Sequence, residues 1–156
     1  MGIFIDTELW SFALKKPVKE KFGDGFEKAY KMHVEAKKFL LENVERDILM
    51  SSHQLAEIYH VLAFRGLRLP VKFVLEYVIN LMEAPNVILR EVLPEHVRKA
   101  VDSSVKSGIH LWDFLCIYPI LDELEVIYTC DAHFKHEEFR KLGVEIINPL
   151  DVWINV

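Results

Sequence analysis

The sequence has only two cysteines, Cys116 and Cys130, both set in apolar stretches and without a C-x-x-C spacing. That pattern argues against a disulfide framework and points to buried free thiols in a reducing compartment, the cytoplasm. An excess of positive charge is also missing: 24 acidic residues face 19 Lys and Arg, for a net charge of -5. A protein that coats nucleic acid through overall charge is thereby disfavoured, although a local basic patch remains open. A bilayer-spanning helix needs about 20 consecutive apolar residues. The most apolar stretch, "HLWDFLCIYPIL", is shorter and is broken by Asp113. No signal-peptide pattern opens the chain, and the "MG" start does not make a myristoylation site, because that pattern wants Ser or Thr where Asp6 stands. No internal repeat, low-complexity segment or linker divides the sequence.

What is present is enough apolar material, 51% of 156 residues, to fill a core. One domain over residues 1–156 is expected. Residues 2–6 read as a short buried strand, "TELWSFAL" as a helical turn and "KKPVKEKFGDG" as a basic connection. In the following helix, Phe26, Tyr30, Val34, Phe39 and Leu40 recur on one side. "DILMSS" is a strand whose Ser51 or Ser52 caps the helix "HQLAEIYHVLAFRG". A helix over 71–83 turns Val71, Val74, Leu75, Val78 and Leu81 inward, then the strand "VILREV" follows. Pro94 opens the next helix, and "IHLWDFLCIYPILDEL" reads as one nearly all-apolar helix. "EVIYTC" and "VEIINP" complete about five strands. Strands separated by helices predict an α/β fold, a three-layer α/β/α sandwich around a central, mainly parallel sheet.

Four acids stand in apolar or strand-ending positions rather than in charged runs: Asp6, Glu57, Asp113 and Asp131. Asp113 has apolar neighbours on all sides of its helix. A buried carboxylate there must find partners, take up a proton or bind a cation. Asp6 and Asp131 end strands, where open parallel sheets build their ligand sites; each also suits a helix N-cap. Glu57 lies beside the apolar face of its helix and is compatible with facing solvent. Together the four suit a shared hard divalent ion such as Mg²⁺ or Mn²⁺, the centre that phosphodiester hydrolysis uses.

Four blocks, "IFIDT", "SSHQLAEI", "HLWDFLCI" and "YTCDAHF", occur in the order and contexts of the PIN-domain ribonucleases, and the chain resembles the small VapC-type toxins along nearly its whole length. The resemblance implies metal-binding, catalytic roles for Asp6, Glu57, Asp113 and Asp131, with Thr7 and Thr129 as supporting hydroxyls. It also implies a Mg²⁺- or Mn²⁺-dependent endoribonuclease acting on RNA, often homodimeric and commonly held inactive by a small antitoxin. Glu8 departs from the family pattern, where a small or amide-bearing residue is common, and so does Pro119, which interrupts a helix. Lys15 and Lys16, soon after Asp6, are candidates for contacting RNA phosphates.

His133 and His136 have the spacing of a short helix face but lack a well-spaced Cys or His set, so they read as surface imidazoles, and His110 as a helix-start residue. Two alternatives stand beside the nuclease. One is a PIN-fold module that binds RNA or protein without turnover, which the presence of all four acids disfavours. The other is a dehalogenase-like phosphate-ester enzyme; Glu8 is acidic, but the "LW" after it does not supply the loop such enzymes use.

Overall fold

The first strand, β1 (Gly2–Ile5), is buried along its length because its side chains alternate between two cores. Ile3 and Ile5 enter one and Phe4 enters the other, so the stretch reads as an unbroken apolar run. β2 (Ile48–Ser51) and β4 (Leu124–Tyr128) flank it; β2 alternates in the same way, and β4 does so from Val126 onward, after a register shift opposite Gly2 and Ile3. β3 (Val87–Arg90) and β5 (Glu145–Ile147) are the half-buried edges of the sheet. The computed structural model describes residues 1–156, and its strand order is β3-β2-β1-β4-β5 with every neighbouring pair parallel. Gly2 is required at the crowded start of β1, where an added Cβ would lie 2.8 Å from Leu49 Cγ and 2.9 Å from the Asp47 carbonyl oxygen.

Helices cover both faces, giving the three layers expected. On one side, α1 (Thr7–Leu14), α3 (Phe26–Asn43), α4 (Ser52–Phe64) and α5 (Val71–Glu83) supply Leu9, Trp10, Ala36, Phe39, Ile58, Leu62 and Val74 to the core. The four-residue α2 (Lys19–Phe22) lies in the connection before α3 and buries nothing. The other side is built by α6 (Pro94–Ser107), α7 (Leu111–Ile117) and α8 (Glu137–Arg140), whose Ala100, Phe114, Ile117 and Phe139 pack against Phe4, Leu49 and Ile127.

Three local expectations are corrected. The inward face of α3 is Met32, His33, Ala36 and Phe39, while Tyr30 and Val34 are exposed. His33 is tolerated there because its Nδ1 bonds the Phe12 carbonyl at 2.7 Å. On α5 only Val74 and Leu81 are buried, and Val71 and Leu75 face outward. The long apolar helix ends at Ile117 and passes into a tighter 3₁₀ segment over Tyr118–Glu123, at the point where Pro119 removes a backbone donor and cannot continue an α-helix.

The chain winds from β1 through β2 to β3 and then crosses to β4 on the opposite side of β1. The strand order therefore reverses between β1 and β4. A crevice opens beyond the carboxyl ends of these two strands.

Candidate active site

Asp6 directly follows β1, and Asp131 comes three residues after β4. The two segments are joined by backbone, with the Asp6 N–H donating to the Tyr128 carbonyl at 2.9 Å. Asp6 is 5% exposed and Asp131 2%. Both are also N-caps: the Asp6 carboxylate accepts from the Thr7 N–H at 2.8 Å, and that of Asp131 from the His133 N–H at 2.9 Å. Capping uses one oxygen of each. At Asp6 the other oxygen accepts from Thr129 Oγ1 at 2.6 Å, and the same hydroxyl accepts the Asp131 N–H at 3.0 Å.

Glu57 enters from α4, where Ser51 caps the helix by accepting the Gln54 N–H at 3.1 Å. It faces neither the core nor bulk solvent. Its side chain is 26% exposed, and Thr7 Oγ1 donates to its Oε1 at 2.5 Å. Asp113 comes from the first turn of α7, with a side chain 14% exposed. All four acids line one open cleft of about 620 Å³, together with Glu8 and Arg65.

Gln54 was not singled out in the sequence, yet it is fully buried and donates from Nε2 to the Ile5 carbonyl at 2.7 Å. The Trp10 indole donates to the same carbonyl at 3.0 Å. Together they fix the end of β1 from which Asp6 projects.

Crowding of carboxylates is visible in their proton affinities. Burial, then the charges of Asp131, Glu57 and Glu8, raises Asp6 well above the ordinary carboxylate range, against the lowering hydrogen bond from Thr129. Burial and the charges of Asp6, Asp131 and Glu57 push Asp113 up to about 9. Asp131 is raised by burial, opposed by the His133 N–H and the positive potential of His133 and His110. Glu57 is the exception. Burial acts to raise it, but the His53 imidazole 3.6 Å away, the hydrogen bond from Thr7 and the nearby His110 bring it below its ordinary value.

The remaining candidates fall outside the acid group. Lys15 turns its ammonium onto the Val61 and Arg65 carbonyls, at 2.7 Å each, closing the end of α4. Lys16 is exposed beside Tyr30, Lys37 and Lys38, in a different depression. Neither lines the acidic cleft, and Arg65 does.

Of the histidines, His136 caps α8 by accepting the Glu138 N–H at 3.0 Å. His133 is not a free surface imidazole: its Nδ1 lies 3.1 Å from Asp113 Oδ2 and 3.5 Å from Asp131 Oδ1. His110 Nε2 lies 3.5 Å from Asp113 Oδ2. The carboxyl-terminal segment also reaches the site, where Ile154 forms a parallel bridge with Asp131 and donates its N–H to the Cys130 carbonyl at 2.8 Å.

No protein-family model matches the sequence, and neither does any curated protein. Among solved structures, the VapC20 toxin of Mycobacterium tuberculosis, described as cleaving the sarcin-ricin loop, superposes with a TM-score of 0.61. The match covers 94% of this chain and 99% of that one at 15% sequence identity. The chain therefore has the PIN-like α/β/α fold of that toxin. No helix is long and apolar enough to cross a membrane.

Proposed function

We propose that the chain is an endoribonuclease that hydrolyses RNA phosphodiester bonds with the aid of Mg²⁺ or Mn²⁺. The observation that carries this reading is the meeting of Asp6, Glu57, Asp113 and Asp131, drawn from four separate segments, in one cleft at the reversal of strand order. The donor set suits a hard divalent ion, being rich in carboxylate oxygens. Burial and mutual repulsion raise three of those carboxyls, and a cation would relieve that repulsion.

Asp6, Asp113 and Asp131 would hold the ion, with Glu57 beside them. When bound, the ion supplies Lewis-acid polarisation of the phosphate and a more acidic water. The chain's own residues do the rest. Glu57, kept ionised by Thr7 and His53, orients the attacking water and accepts its proton. Thr129 holds Asp6 and the backbone of Asp131 in one arrangement, and Thr7 positions Glu57. Arg65, the guanidinium lining the cleft, offers a countercharge to the RNA phosphates.

The description of VapC20 as a toxin supports a toxin role here too, with a small antitoxin as partner and RNA as substrate. The test is a gel assay on defined RNAs with Mg²⁺, Mn²⁺ or EDTA. Cleavage should need the ion and vanish in Asp6→Asn with the fold intact. Cleavage in EDTA, or full activity of Asp6→Asn, would remove the proposal.

A further inference from the structure

Beside the carboxylates, the cleft carries a second kind of donor. His110 Nε2, Asp113 Oδ2 and His133 Nδ1 all lie within 4.8 Å of one another. The individual separations are 3.1 Å from His133 to Asp113 and 3.5 Å from His110 to Asp113. Asp131 Oδ1 lies 3.5 Å from His133 Nδ1 but stands outside this mutually close trio. Two atoms bound to one Zn²⁺ at ~2.0–2.1 Å, at a tetrahedral angle, sit about 3.4 Å apart. The separations from Asp113 to the two imidazoles, 3.1 and 3.5 Å, bracket that spacing.

The donors are also held in place. His110 and His133 pack edge to face with ring centroids 5.3 Å apart. The His133 backbone is tied to Asp131 through its N–H. Asp113 rises from the first turn of α7, with His110 as the residue just before that helix. A set of two imidazole nitrogens and one carboxylate oxygen differs chemically from a cage of carboxylates. Imidazole favours borderline transition ions such as Zn²⁺ and Co²⁺, while Mg²⁺ prefers oxygen donors and keeps its waters. A second mixed group, His53, Glu57 and Cys116, is weaker, because its sulfur is buried and reaches Glu57 only at 3.9 Å.

We propose that His110, Asp113 and His133 form a transition-metal site of Zn²⁺ or Co²⁺ type at the edge of the cleft, selective against Mg²⁺. It shares only Asp113 with the nuclease reading, and it needs neither RNA nor cleavage. Asp6 and Glu57 take no part in it.

The test is Co²⁺ titration of the chelator-treated full chain in excess Mg²⁺, read by visible ligand-field absorption, with Zn²⁺ added to displace the Co²⁺. The parent should develop the absorption of a low-symmetry nitrogen-bearing site and lose it to Zn²⁺. Asp6→Asn, which separates this site from the nuclease reading, should keep the absorption and its loss to Zn²⁺, with affinity altered only by the loss of a neighbouring charge. His110→Ala and His133→Ala should each weaken Co²⁺ binding by at least about tenfold. His110 is exposed, so its variant tests the site even if His133→Ala fails to fold. No absorption in the parent, or unchanged Co²⁺ affinity in His110→Ala, overturns the proposal. So does binding that Asp6→Asn abolishes but the histidine variants keep, since that assigns the ion to the carboxylates.

Discussion

Thr129 and Asp6, 123 positions apart in sequence, are joined by a 2.6 Å hydrogen bond in which the threonine hydroxyl donates to the carboxylate. The same oxygen accepts the Asp131 N–H at 3.0 Å, so one fully buried side chain sets the positions of two acids. Thr129→Val keeps the shape and removes both bonds. Cleavage should fall about 10- to 100-fold, as is typical when a partner of a metal-ligating group is lost, with more Mn²⁺ needed for half-maximal rate. Thr129→Ser should restore most of the rate. Mn²⁺ titrations of single-turnover cleavage check this, and an unchanged Mn²⁺ requirement in the valine variant would contradict it.

Asp113 sets function against stability. Burial, then the charges of Asp6, Asp131 and Glu57, raises its folded-state pKa to about 9 from an ordinary value of 3.8. Between those pH values the unfolded carboxyl is ionised while the folded one keeps its proton. The unfolded state thus binds fewer protons, and metal-free stability falls as pH rises across that window. Asp113→Asn removes the liability. At pH 8 the metal-free variant should be more stable than the parent by at least ~1 kcal/mol, about one pKa unit's worth, yet should not cleave RNA. Thermal melts in EDTA at pH 5 and pH 8 check it: the gain should be larger at pH 8, and a less stable variant there would contradict the argument.

The sequence made some of this legible and hid the rest, for physical reasons. Asp6 and Asp131 stood out because an acid closing an apolar strand is a local pattern, and the reversal of strand order places both at one crevice. Asp113 stood out because apolar neighbours surround it on its helix. Glu57 was ambiguous: helical period sets it off the core face, and only the packing of α4 beside α1 shows that this direction is the cleft. The pairing of His110 with His133 joins residues 23 apart on segments that look solvent-facing, and no periodicity signals it. The sidedness of α3 was misread because its inward face depends on where α1 presses and on the bond that makes His33 acceptable inside. Charge counting located Lys15 near the site but not the carbonyls its flexible stem reaches.

Lys15 and Arg65 should therefore separate in their effects. Arg65 lines the cleft, so Arg65→Ala should weaken RNA binding and reduce the salt dependence of log affinity by about one unit of slope. Lys15→Met should leave that slope near the parent value. It should instead cost about 1 kcal/mol of stability, because two carbonyls at the end of α4 lose their donor. Binding to a labelled RNA at several salt concentrations, on an Asp6→Asn background to prevent cleavage, distinguishes the two. Equal slope changes would assign Lys15 to the RNA as well.

Tyr77 gives a test of the core that is independent of any metal. It lies on α5 against the edge of Trp10, with ring centroids 6.3 Å apart, and burial pushes its phenol up to about 12 from 10.0. Below pH 10 both folded and unfolded states keep the proton and no stability depends on it. Between pH 10 and about 12 the unfolded phenol ionises while the folded one does not, so folding stability is lost as pH rises through that window. Tyr77→Phe removes the ionisation and should flatten this part of the stability profile. Trp10 also donates to the Ile5 carbonyl at 3.0 Å, just before Asp6, so loosening this contact reaches the root of the acidic cleft. Denaturant melts of both proteins from pH 9 to 12 measure the difference in slope. Parallel profiles would mean that Tyr77 ionises as readily in the folded chain as in the unfolded one, and that its contact with Trp10 leaves its hydroxyl open to water.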